Sequence, residues 1–394
     1  MRTQVGIVGA GPAGLLLSQL LHLQGIESVV LEDRDRAYVE QRVRAGVLEH
    51  GSAAMLREAG VGKRMDTEGM PHEGTELRFA HARHRIDFQE LTGRHITVYG
   101  QQEIVKDLVE ARLSAGGDVR FEVDDVTLHD LDGTRPRIEF VEAGERRSLE
   151  CDFVAGTDGF HGVCRGYVPD QTVHERHYPF AWLGILAEAP ASSAELIYAR
   201  HDEGFALHSM RTPEIVRMYL QVDPDEDIHS WPDERIWSGL HTRLATTDGF
   251  ALTEGPIFDK GITPMRSFVT TPMQQGRLLL AGDAAHIVPP TGAKGMNLAM
   301  SDVRVLSRAL GGYYAEARED LLAAYTDTAL WRVWRSTHFS WWMTMMLHVD
   351  PHEDPFGHRL ALAQLDYVTS SRAMETSFAE NYTGMPYREG WSYR

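Results

Sequence analysis

The pattern of apolar and polar positions near the N-terminus predicts three consecutive elements. Residues 3–8 and residues 28–31 are short apolar runs of strand length, and residues 15–21 between them have the apolar content of a buried helix. A strand, a helix and a second strand in this order form a βαβ unit, in which the two strands lie parallel in one sheet. The chain is therefore predicted to begin with a parallel sheet.

A glycine-rich turn joins the first predicted strand to the helix. Gly9, Gly11 and Gly14 have the spacing G-x-G-x-x-G, and the second strand ends at Glu32. Such glycines permit a tight turn, the close approach of a pyrophosphate and close helix–strand packing, while the acid can bind a ribose hydroxyl. The sequence therefore predicts a Rossmann-like unit that binds one dinucleotide. It contains no second fingerprint of this kind for a nicotinamide nucleotide.

The rest of the chain shows two further kinds of pattern. Residues 153–156 and 277–281 are continuous apolar runs, which are typical of parallel strands buried on both faces. Past Pro179 the strand-like segments indicate an antiparallel sheet and a second lobe. Further strands are predicted over 76–80, 85–88, 182–187, 195–199 and 218–222, and helices over 47–60, 102–115 and 297–347.

Composition excludes several classes of protein. The net charge of −18 provides no field for binding nucleic acid, and an anionic substrate would need local arginines. No apolar run is long enough to cross a bilayer, and the N-terminus has no pattern of a targeting peptide. Cys151 and Cys164 offer no disulfide framework, and no histidine has a metal-ligand spacing. We expect a cytoplasmic enzyme without a metal or membrane partner.

Two short motifs follow the predicted parallel strands. Asp158-Gly159 comes after the strand 153–156, and Gly282-Asp283 comes after the strand 277–281. In doubly wound folds ligands bind beyond the carboxyl ends of such strands. With the N-terminal glycines, these motifs resemble the group A flavoprotein aromatic hydroxylases, which have a GxGxxG, a DG and a GD motif for FAD. The resemblance extends over essentially the whole chain, with longer matches at 42–49, 158–162, 178–184, 281–297, 339–344 and 380–382.

The resemblance implies an α/β fold with an α+β second lobe, built from three parts. The Rossmann-like FAD-binding domain is discontinuous and covers 1–70, 98–175 and 265–345. The substrate domain, with its antiparallel sheet, covers 71–97 and 176–264. A C-terminal helical region over 346–394 is expected to lie at the interface of a homodimer.

The resemblance also implies an activity. Its closest pattern is that of members that use FAD, O2 and NADH or NADPH to hydroxylate 4-hydroxybenzoate at C3 through a flavin C4a-hydroperoxide. The product, 3,4-dihydroxybenzoate, belongs to the catabolism of aromatic compounds. Two alternatives remain open, a hydroxylase of another phenolic acid and an FAD protein that does not hydroxylate. A reductase would usually have a second GxGxxG or a CxxC, and the sequence has neither.

Candidate substrate-binding residues lie in the second lobe. Ser209 and Arg211 are two positions apart, so on a strand they share one face and can bind one carboxylate. Tyr219, on the neighbouring predicted strand, can add a third donor. The resemblance assigns these three residues to the carboxylate of the substrate.

Four further residues are assigned by resemblance to the substrate phenol and its proton. Tyr198 corresponds to the tyrosine that binds the phenol, Tyr382 to the next member of a proton relay and His72 to the outlet of that relay. The backbone carbonyl of Pro290 is expected to face the substrate hydroxyl. The sequence by itself would place Tyr198 in the core and His72 in an exposed loop.

The resemblance assigns a larger set of residues to FAD. Glu32 is expected to bind the adenosine ribose, Arg44 the pyrophosphate and Asp283 the ribityl chain. The backbone of Asn297 and Leu298 would contact the pyrimidine edge, where a helix N-terminus stabilises negative charge. The complete set is Gly9, Gly11, Gly14, Glu32, Arg42, Arg44, Gln101, Asp158, Asp283, Asn297 and Leu298. Arg217 corresponds to an arginine that gates a movement of the flavin, through which a nicotinamide can reach it.

The segment after Glu32 departs from the pattern of NADPH-dependent members. They have an Arg-Gln pair for the 2′-phosphate, whereas this chain has Asp33 and Arg34, followed by Asp35 and Arg36. A carboxylate close to a phosphate opposes its binding. We therefore expect the use of NADH, either preferentially or as well as NADPH. The residues considered for the nicotinamide nucleotide are Asp33, Arg34, Tyr38, His161, Arg165 and Arg266.

Overall fold

The computed structural model describes residues 1–42 and 46–385. The strands are β1 (Val5–Val8), β2 (Ser28–Leu31), β3 (Val47–Leu48), β4 (Met70–His72), β5 (Gly74–Phe79), β6 (Ala82–Asp87), β7 (Ile96–Val98), β8 (Asp118–Arg120), β9 (Val123–His129), β10 (Arg137–Glu142), β11 (Glu145–Glu150), β12 (Phe153–Gly156), β13 (Thr172–Glu188), β14 (Ile197–His201), β15 (Gly204–Thr212), β16 (Ile215–Val222), β17 (Ile257–Thr271), β18 (Gln274–Gln275), β19 (Leu278–Leu280) and β20 (His286–Ile287). The α-helices are α1 (Pro12–Leu23), α2 (Arg36–Gln41), α3 (His50–Glu58), α4 (Lys63–Glu68), α5 (Phe88–Thr92), α6 (Gln101–Ser114), α7 (Asp233–Leu244), α8 (Gly295–Glu316), α9 (Glu319–Ala323), α10 (Tyr325–Leu347), α11 (Pro355–Ser370) and α12 (Arg372–Thr383).

The first large sheet has the strand order β18-β19-β12-β1-β2-β8. Its strands pair in parallel from β19 to β8, and β18 pairs with β19 antiparallel. Every residue of β1, β2, β12 and β19 is buried. Continuous apolar strands are typical of a parallel sheet that is covered on both faces. The predicted Rossmann-like sheet is therefore confirmed.

The second large sheet has eight strands in the order β20-β17-β13-β16-β15-β14-β5-β6. Its pairs are antiparallel except that of β14 with β5, which is parallel. Side chains alternate between its faces. One face packs on α7 through residues such as Leu183, Met218 and Leu220. The opposite face packs Tyr198 and Leu207 against side chains of α10 and α12, and this second face contains the predicted substrate residues.

One predicted helix is wrong at its start. Residues 47–60 were expected to be helical throughout, but Val47 and Leu48 form β3 and the helix α3 begins at His50. The strand pairs antiparallel with β7, where Val47 lies opposite Val98. Pairing with a distant segment overrides the helical preference of a short apolar run.

Three further expectations concern membrane-spanning helices, metal ligands and the two cysteines. Within these ranges no helix is both long enough and apolar enough to cross a membrane. The same ranges contain no group of three histidine, cysteine or acidic side chains that could hold a metal ion. Cys151 and Cys164 are both buried and free.

Candidate active site

Four predicted motifs meet at one edge of the parallel sheet. Gly9 follows β1, Glu32 follows β2, Asp158 comes shortly after β12, and Gly282-Asp283 comes shortly after β19. The parallel register brings the carboxyl ends of these four strands to the same level. Residues that are up to about 270 positions apart in the sequence are therefore assembled into one candidate cofactor site, in the position expected for a doubly wound fold.

Glycine suits each of the three positions in the first turn for a different physical reason. Gly9 has φ +103°, and a Cβ there would lie 2.6 Å from the carbonyl oxygen of Thr157. A Cβ at Gly14 would lie 2.0 Å from the carbonyl oxygen of Gly9. A Cβ at Gly11 would meet no protein atom within 4 Å. Packing within the protein thus requires Gly9 and Gly14, whereas Gly11 leaves backbone accessible to a ligand at the N-terminus of α1, which fits a pyrophosphate.

Glu32 faces the same turn. Its Oε2 accepts a hydrogen bond of 2.6 Å from the backbone N–H of Ala10, and its Oε1 accepts one of 3.1 Å from the N–H of Arg34. Burial and a hydrogen bond with Asp33 raise the pKa of Glu32 to about 7. The carboxylate is therefore fixed beside the glycine turn, where it can accept a ribose hydroxyl.

The beginning of α8 corrects one assignment. The backbone N–H of Leu298 donates to the carbonyl of Lys294 at 2.8 Å, so the helix already uses this donor. The first three N–H groups of a helix have no partner within it. Since α8 begins at Gly295, these belong to Gly295, Met296 and Asn297. Met296, which the sequence interpretation missed, replaces Leu298 as a candidate backbone donor to the pyrimidine edge.

Asn297 also has a second task at this position. Its side-chain amide donates to the carbonyls of Val47 and Ala293, at 2.9 and 2.7 Å, and its Oδ1 accepts from the N–H of Glu49 at 2.9 Å. Both polar atoms of the side chain are therefore used: two of these bonds attach α8 to β3 and the residue that follows it, and the third reaches Ala293, before the helix. The backbone N–H of Asn297 is the part that remains consistent with cofactor binding.

The other cofactor candidates differ in how well they are placed. Asp158 is largely buried, its Oδ2 accepts from the N–H of Cys164 at 2.8 Å, and its Oδ1 is buried without a partner. Burial raises the pKa of this carboxyl. Gln101 is the first residue of α6. Arg42 is exposed at the end of α2, and Arg44 lies outside the described residues.

The predicted carboxylate-binding residues share one face of the second sheet. Ser209 lies opposite Arg217, and Tyr219 lies two residues further along the same strand. The Ser209 hydroxyl donates to the carbonyl of Arg217 at 2.8 Å. Arg211 lies at an irregularity in the pairing of β15 with β16, and its Nε is buried without a partner. Burial lowers the pKa of Arg211 to about 10. Among the described residues no acidic side chain forms an ion pair with this guanidinium, so an anionic ligand could supply the counter-charge.

Arg217 is a second cation on this face with side-chain donors that lack hydrogen-bond partners. Its Nε and Nη1 are buried without hydrogen-bond partners, and its guanidinium lies 5.2 Å from the centre of the Tyr219 ring. Two half-buried arginines, each with a buried nitrogen that has no hydrogen-bond partner, lie on neighbouring strands and make the face favourable for a carboxylate. The face that the sequence predicts to carry Ser209, Arg211 and Tyr219 is therefore present in the structure.

Tyr198 and Tyr382 form a buried pair. Their hydroxyls hydrogen-bond each other directly, and each side chain is 1% exposed. Burial raises the pKa of both phenols above the ordinary value. Tyr382 also stacks on Phe88 and Phe378, with ring centres 5.0 and 5.7 Å apart. The structure thus brings together two tyrosines from β14 and α12 that the sequence places far apart.

The environment of His72 differs from the sequence-based expectation of an exposed loop. The residue ends β4, pairs opposite Ile96 and is 2% exposed. Burial lowers the pKa of His72 to about 4, and its Nδ1 is buried without a partner. In residues 1–42 and 46–385 no direct hydrogen bond joins His72 to Tyr382. Pro290 is exposed, and its carbonyl accepts from the N–H of Ala293 at 2.9 Å.

A buried group of three charged side chains next to the Tyr198–Tyr382 pair was not predicted from the sequence. The Nζ of Lys294 donates to Glu49 at 2.7 Å and to the carbonyl of Tyr382 at 3.0 Å, and Arg332 forms a second ion pair with Glu49. Burial opposes ionisation of Glu49, but the two cations outweigh it and lower the pKa of this carboxyl. No local pattern reveals such a group, because its members come from three distant segments.

The six nicotinamide candidates fall into two separate groups. In one, the guanidinium groups of Arg34 and Arg42 lie 5.3 and 5.8 Å from the Tyr38 ring, and Asp33 lies 3.7 Å from Arg34. Asp35 instead caps α2 by accepting from the N–H of Tyr38 at 2.7 Å. In the other group, Phe160 is surrounded by cationic and imidazole side chains. Arg165 and Arg266 lie 4.7 and 4.3 Å from its ring centre, and the His161 ring lies edge-on at 5.0 Å.

Comparisons with known proteins agree with this architecture. The family model described as FAD binding domain matches residues 2–340. The p-hydroxybenzoate hydroxylase of Acinetobacter baylyi is 47% identical over 390 residues, which are 98% of this chain and 96% of that protein. The 3-(3-hydroxy-phenyl)propionate/3-hydroxycinnamic acid hydroxylase of Mycolicibacterium gilvum is 26% identical over 82% of this chain and 56% of its own length.

A solved structure shows the same fold over the full length. The p-nitrophenol 4-monooxygenase of Pseudomonas putida aligns with a TM-score of 0.84 and 19% identity, covering 98% of this chain and 99% of that chain. The structural likeness supports the fold, and the matched family model and the 47% identical relative support the family. The chain therefore belongs to the FAD binding domain family and, within it, to the FAD-dependent aromatic hydroxylases.

Proposed function

We propose that the protein hydroxylates 4-hydroxybenzoate at C3, using O2 and NADH or NADPH, to give 3,4-dihydroxybenzoate. The observation that supports this substrate best is the arrangement on one face of the second sheet. Half-buried Arg211, whose buried Nε has no partner, and the buried hydroxyl pair of Tyr198 and Tyr382 lie on strands of that sheet or against it. They suit the two ends of a ring with a carboxylate and a phenol. The name of the A. baylyi relative, p-hydroxybenzoate hydroxylase, corresponds to the proposed activity.

FAD, when bound, supplies electrons from NAD(P)H to O2 and delivers one oxygen atom to the ring. The residues that would hold it are those at the edge of the parallel sheet. The glycine turn would bind the pyrophosphate, Glu32 the ribose, and Asp283 the ribityl chain. The N–H groups of Met296 and Asn297 would bind the pyrimidine edge. Near these donors, a helix N-terminus favours negative charge.

The substrate residues can account for the position of hydroxylation. Arg211, with Ser209 and Tyr219, would bind the carboxylate and hold the ring in one orientation. Tyr198 would hydrogen-bond the phenol, and its hydroxyl would take up the phenol's proton while passing its own proton to Tyr382. A phenolate increases electron density at the ring carbons ortho and para to oxygen. Since the para carbon bears the carboxylate, C3 and its equivalent C5 are the positions left for attack.

The proton would leave along the tyrosine pair. A hydroxyl that donates one hydrogen bond and accepts another can pass a proton without rotating out of the pocket. We propose Tyr382 as the next carrier and His72 as the acceptor toward solvent, reached through water because no direct bond joins them in the described residues. Pro290 is proposed to face the substrate hydroxyl with its carbonyl, which has a second lone pair beyond the one that Ala293 uses.

Arg217 is proposed to gate the access of the nicotinamide to the flavin. Its unpaired Nε and Nη1 give it donors that can change partners when the flavin moves. The two surface groups around Tyr38 and Phe160 are proposed to bind the nicotinamide nucleotide. Asp33, exposed and near Arg34, favours NADH over NADPH. Steady-state kcat/KM with both nucleotides tests this preference, and a large advantage of NADPH would contradict it.

Substrate-dependent oxidation of NAD(P)H tests the proposed activity. Purified protein is incubated with 4-hydroxybenzoate and, as matched controls, with 3-hydroxybenzoate and benzoate. We expect stoichiometric 3,4-dihydroxybenzoate from 4-hydroxybenzoate alone. Hydroxylation of a different phenolic acid in preference would support the alternative substrate. Nucleotide oxidation that yields only hydrogen peroxide would contradict hydroxylation altogether.

A homodimer in the cytoplasm, with the three-part domain division given above, completes the proposal. The exposed side of α11 has an apolar row formed by Phe356, Leu360 and Tyr367, which are 70%, 55% and 53% exposed. Such a row suits an interface between two copies of the chain. Light scattering on the wild type and on Leu360→Glu tests it. A monomeric wild type would contradict the dimer.

A further inference from the structure

A buried carboxylate lies behind the turn that contains Asp283. Asp302, on α8, is 1% exposed. Its Oδ2 accepts hydrogen bonds from the backbone N–H of Gly282 at 2.9 Å and from Nε2 of His286 at 2.6 Å. These donors lie at the two ends of the turn 282–286. One oxygen atom therefore fixes both ends of the turn that presents Asp283.

The turn and α8 are packed in direct contact. Gly282 has φ +66°, and a Cβ there would lie 3.1 Å from the Cβ of Ala299 on α8. The carbonyl of Ala285 accepts from the N–H of Thr270 at 2.9 Å, which attaches the far side of the turn to β17. The backbone of the turn is thus held from two sides, and Asp302 is the charged attachment to the helix.

Asp302 and His286 form a buried ion pair. Burial opposes the charged imidazole, but the adjacent carboxylate outweighs it and raises the pKa of His286. Hydrogen bonds to charged groups are stronger and more directional than neutral ones. A pair of this kind is suited to hold backbone in one position, whereas a neutral apolar pair would only fill the space.

We propose that Asp302 and His286 are positioning residues for FAD. Asp283 on the turn and the free N–H groups of Met296 and Asn297 on α8 must contact one ligand at the same time. Asp302 belongs to the same helix as Met296 and Asn297 and is bonded to the turn of Asp283. It therefore sets the distance between the two flavin-binding segments. This inference rests on the flavin site given under Proposed function.

The test measures flavin binding and flavin environment rather than turnover. Holoenzyme variants Asp302→Leu, Asp302→Asn and His286→Gln are diluted, and the fluorescence of released FAD gives the dissociation constant. The visible spectrum and the reduction potential of the bound flavin are recorded for each variant. Ser307→Ala is the matched control, because Ser307 is buried on α8 and its hydroxyl, among the described residues, bonds only to the carbonyl of Arg304.

Asp302→Leu is expected to raise the dissociation constant of FAD roughly tenfold or more, the size usual for loss of an outer partner that orients a ligand group. Its flavin spectrum and potential should also shift. Asp302→Asn, which keeps an acceptor oxygen, should lie between Asp302→Leu and wild type. Ser307→Ala should match wild type in all three measurements.

Two results would overturn parts of the account separately. A folded Asp302→Leu that binds FAD within about twofold of wild type, with an unchanged spectrum and potential, would contradict the positioning role. If Asp302→Leu does not fold, the same result for His286→Gln decides the question. A wild-type protein that binds no FAD would instead contradict the flavin site itself.

Discussion

At the scale of single residues, the proposed proton transfer depends on the two buried hydroxyls of Tyr198 and Tyr382. Each hydroxyl bonds the other, and among the described residues neither has an acidic or basic side chain as a direct hydrogen-bond partner. Burial keeps both phenols neutral by raising the pKa of each. A neutral hydroxyl can take up the substrate's proton only while it passes its own proton on, so the two tyrosines act together.

Tyr198→Phe should leave 4-hydroxybenzoate binding nearly unchanged and reduce hydroxylation by roughly 100-fold or more, because the proton acceptor is lost. Substrate binding is measured by titrating the flavin absorbance, and hydroxylation by product analysis. Tyr178→Phe is the matched control, since its buried hydroxyl bonds Ser267 instead of the relay. Normal product yield from Tyr198→Phe would remove this residue from its proposed role.

Arg211→Ala should weaken substrate binding by about 1.5–3 kcal/mol, or roughly 10- to 150-fold in Kd, because a charge-assisted hydrogen bond is lost. The measurement is a titration with 4-hydroxybenzoate and, as a probe without a carboxylate, with phenol. Only the affinity for the benzoate should change. Equal losses for both ligands would indicate a general disturbance of the pocket rather than recognition of the carboxylate.

At the scale of elements, the turn before α1 contains one glycine that packing within the protein requires and another that leaves room for a ligand. A Cβ at Gly14 would overlap the carbonyl of Gly9, whereas a Cβ at Gly11 would meet no protein atom. Gly11 also has φ −70° and ψ 179°, which any residue adopts. The two positions therefore give substitutions of equal size with different expected effects.

Gly11→Ala should leave the stability of the FAD-free protein within about 0.5 kcal/mol of wild type and weaken FAD binding by roughly 10- to 100-fold. Gly14→Ala should instead lower the stability of the FAD-free protein by about 1–3 kcal/mol or more. Urea unfolding and FAD titration measure the two quantities. The interpretation of the turn would be contradicted if Gly11→Ala bound FAD as tightly as wild type.

Elements with a strong local pattern were predictable from the sequence. The strands β1, β2, β12 and β19 are continuous apolar runs, so their burial and their parallel order follow from the residues themselves. Features that depend on distant partners were not predictable. The pairing of β3 with β7 overrode a helical pattern, and burial of His72 depends on packing against segments far along the chain.

The candidate site shows the same division. The motifs at the strand ends and the shared face of Ser209 and Arg211 followed from spacing, and resemblance supplied the roles of Tyr198 and Tyr382. Resemblance assigned Leu298 to the flavin, but its backbone N–H is already used by the carbonyl of Lys294, a bond that the sequence does not reveal. The pair of Asp302 and His286 was missed, since no local signal distinguishes a buried carboxylate from a surface one on a helix.

At the scale of the whole molecule, buried neutral histidines should control stability in acid. Burial lowers the pKa of His72 and His208 to about 4 and that of His348 to about 3. Each group stays neutral in the folded protein while the unfolded chain takes up a proton below about pH 6.5. The contribution of these three histidines to stability is therefore fully present above pH 6.5 and is lost as the pH falls toward 4. Glu32, whose raised pKa of about 7 has the opposite effect, offsets part of this loss.

His208→Gln isolates one of these groups, because His208 is 0% exposed and lies on the face of the sheet that packs against α7. The loss of unfolding free energy between pH 7 and pH 5 should be smaller than in wild type by about 2 kcal/mol. Urea unfolding at the two pH values measures it, with His22→Gln on the exposed surface of α1 as control. Parallel pH curves for wild type and His208→Gln would refute the proposed contribution.

We propose that the FAD-loaded protein places one oxygen atom of O2 on C3 of 4-hydroxybenzoate. Incubation of the purified protein with 4-hydroxybenzoate and NADH under ¹⁸O2, followed by mass and NMR analysis of the product, tests this proposal. We expect 3,4-dihydroxybenzoate with one ¹⁸O atom, attached to C3. An unlabelled product, a different isomer, or hydrogen peroxide without any hydroxylated ring would contradict it.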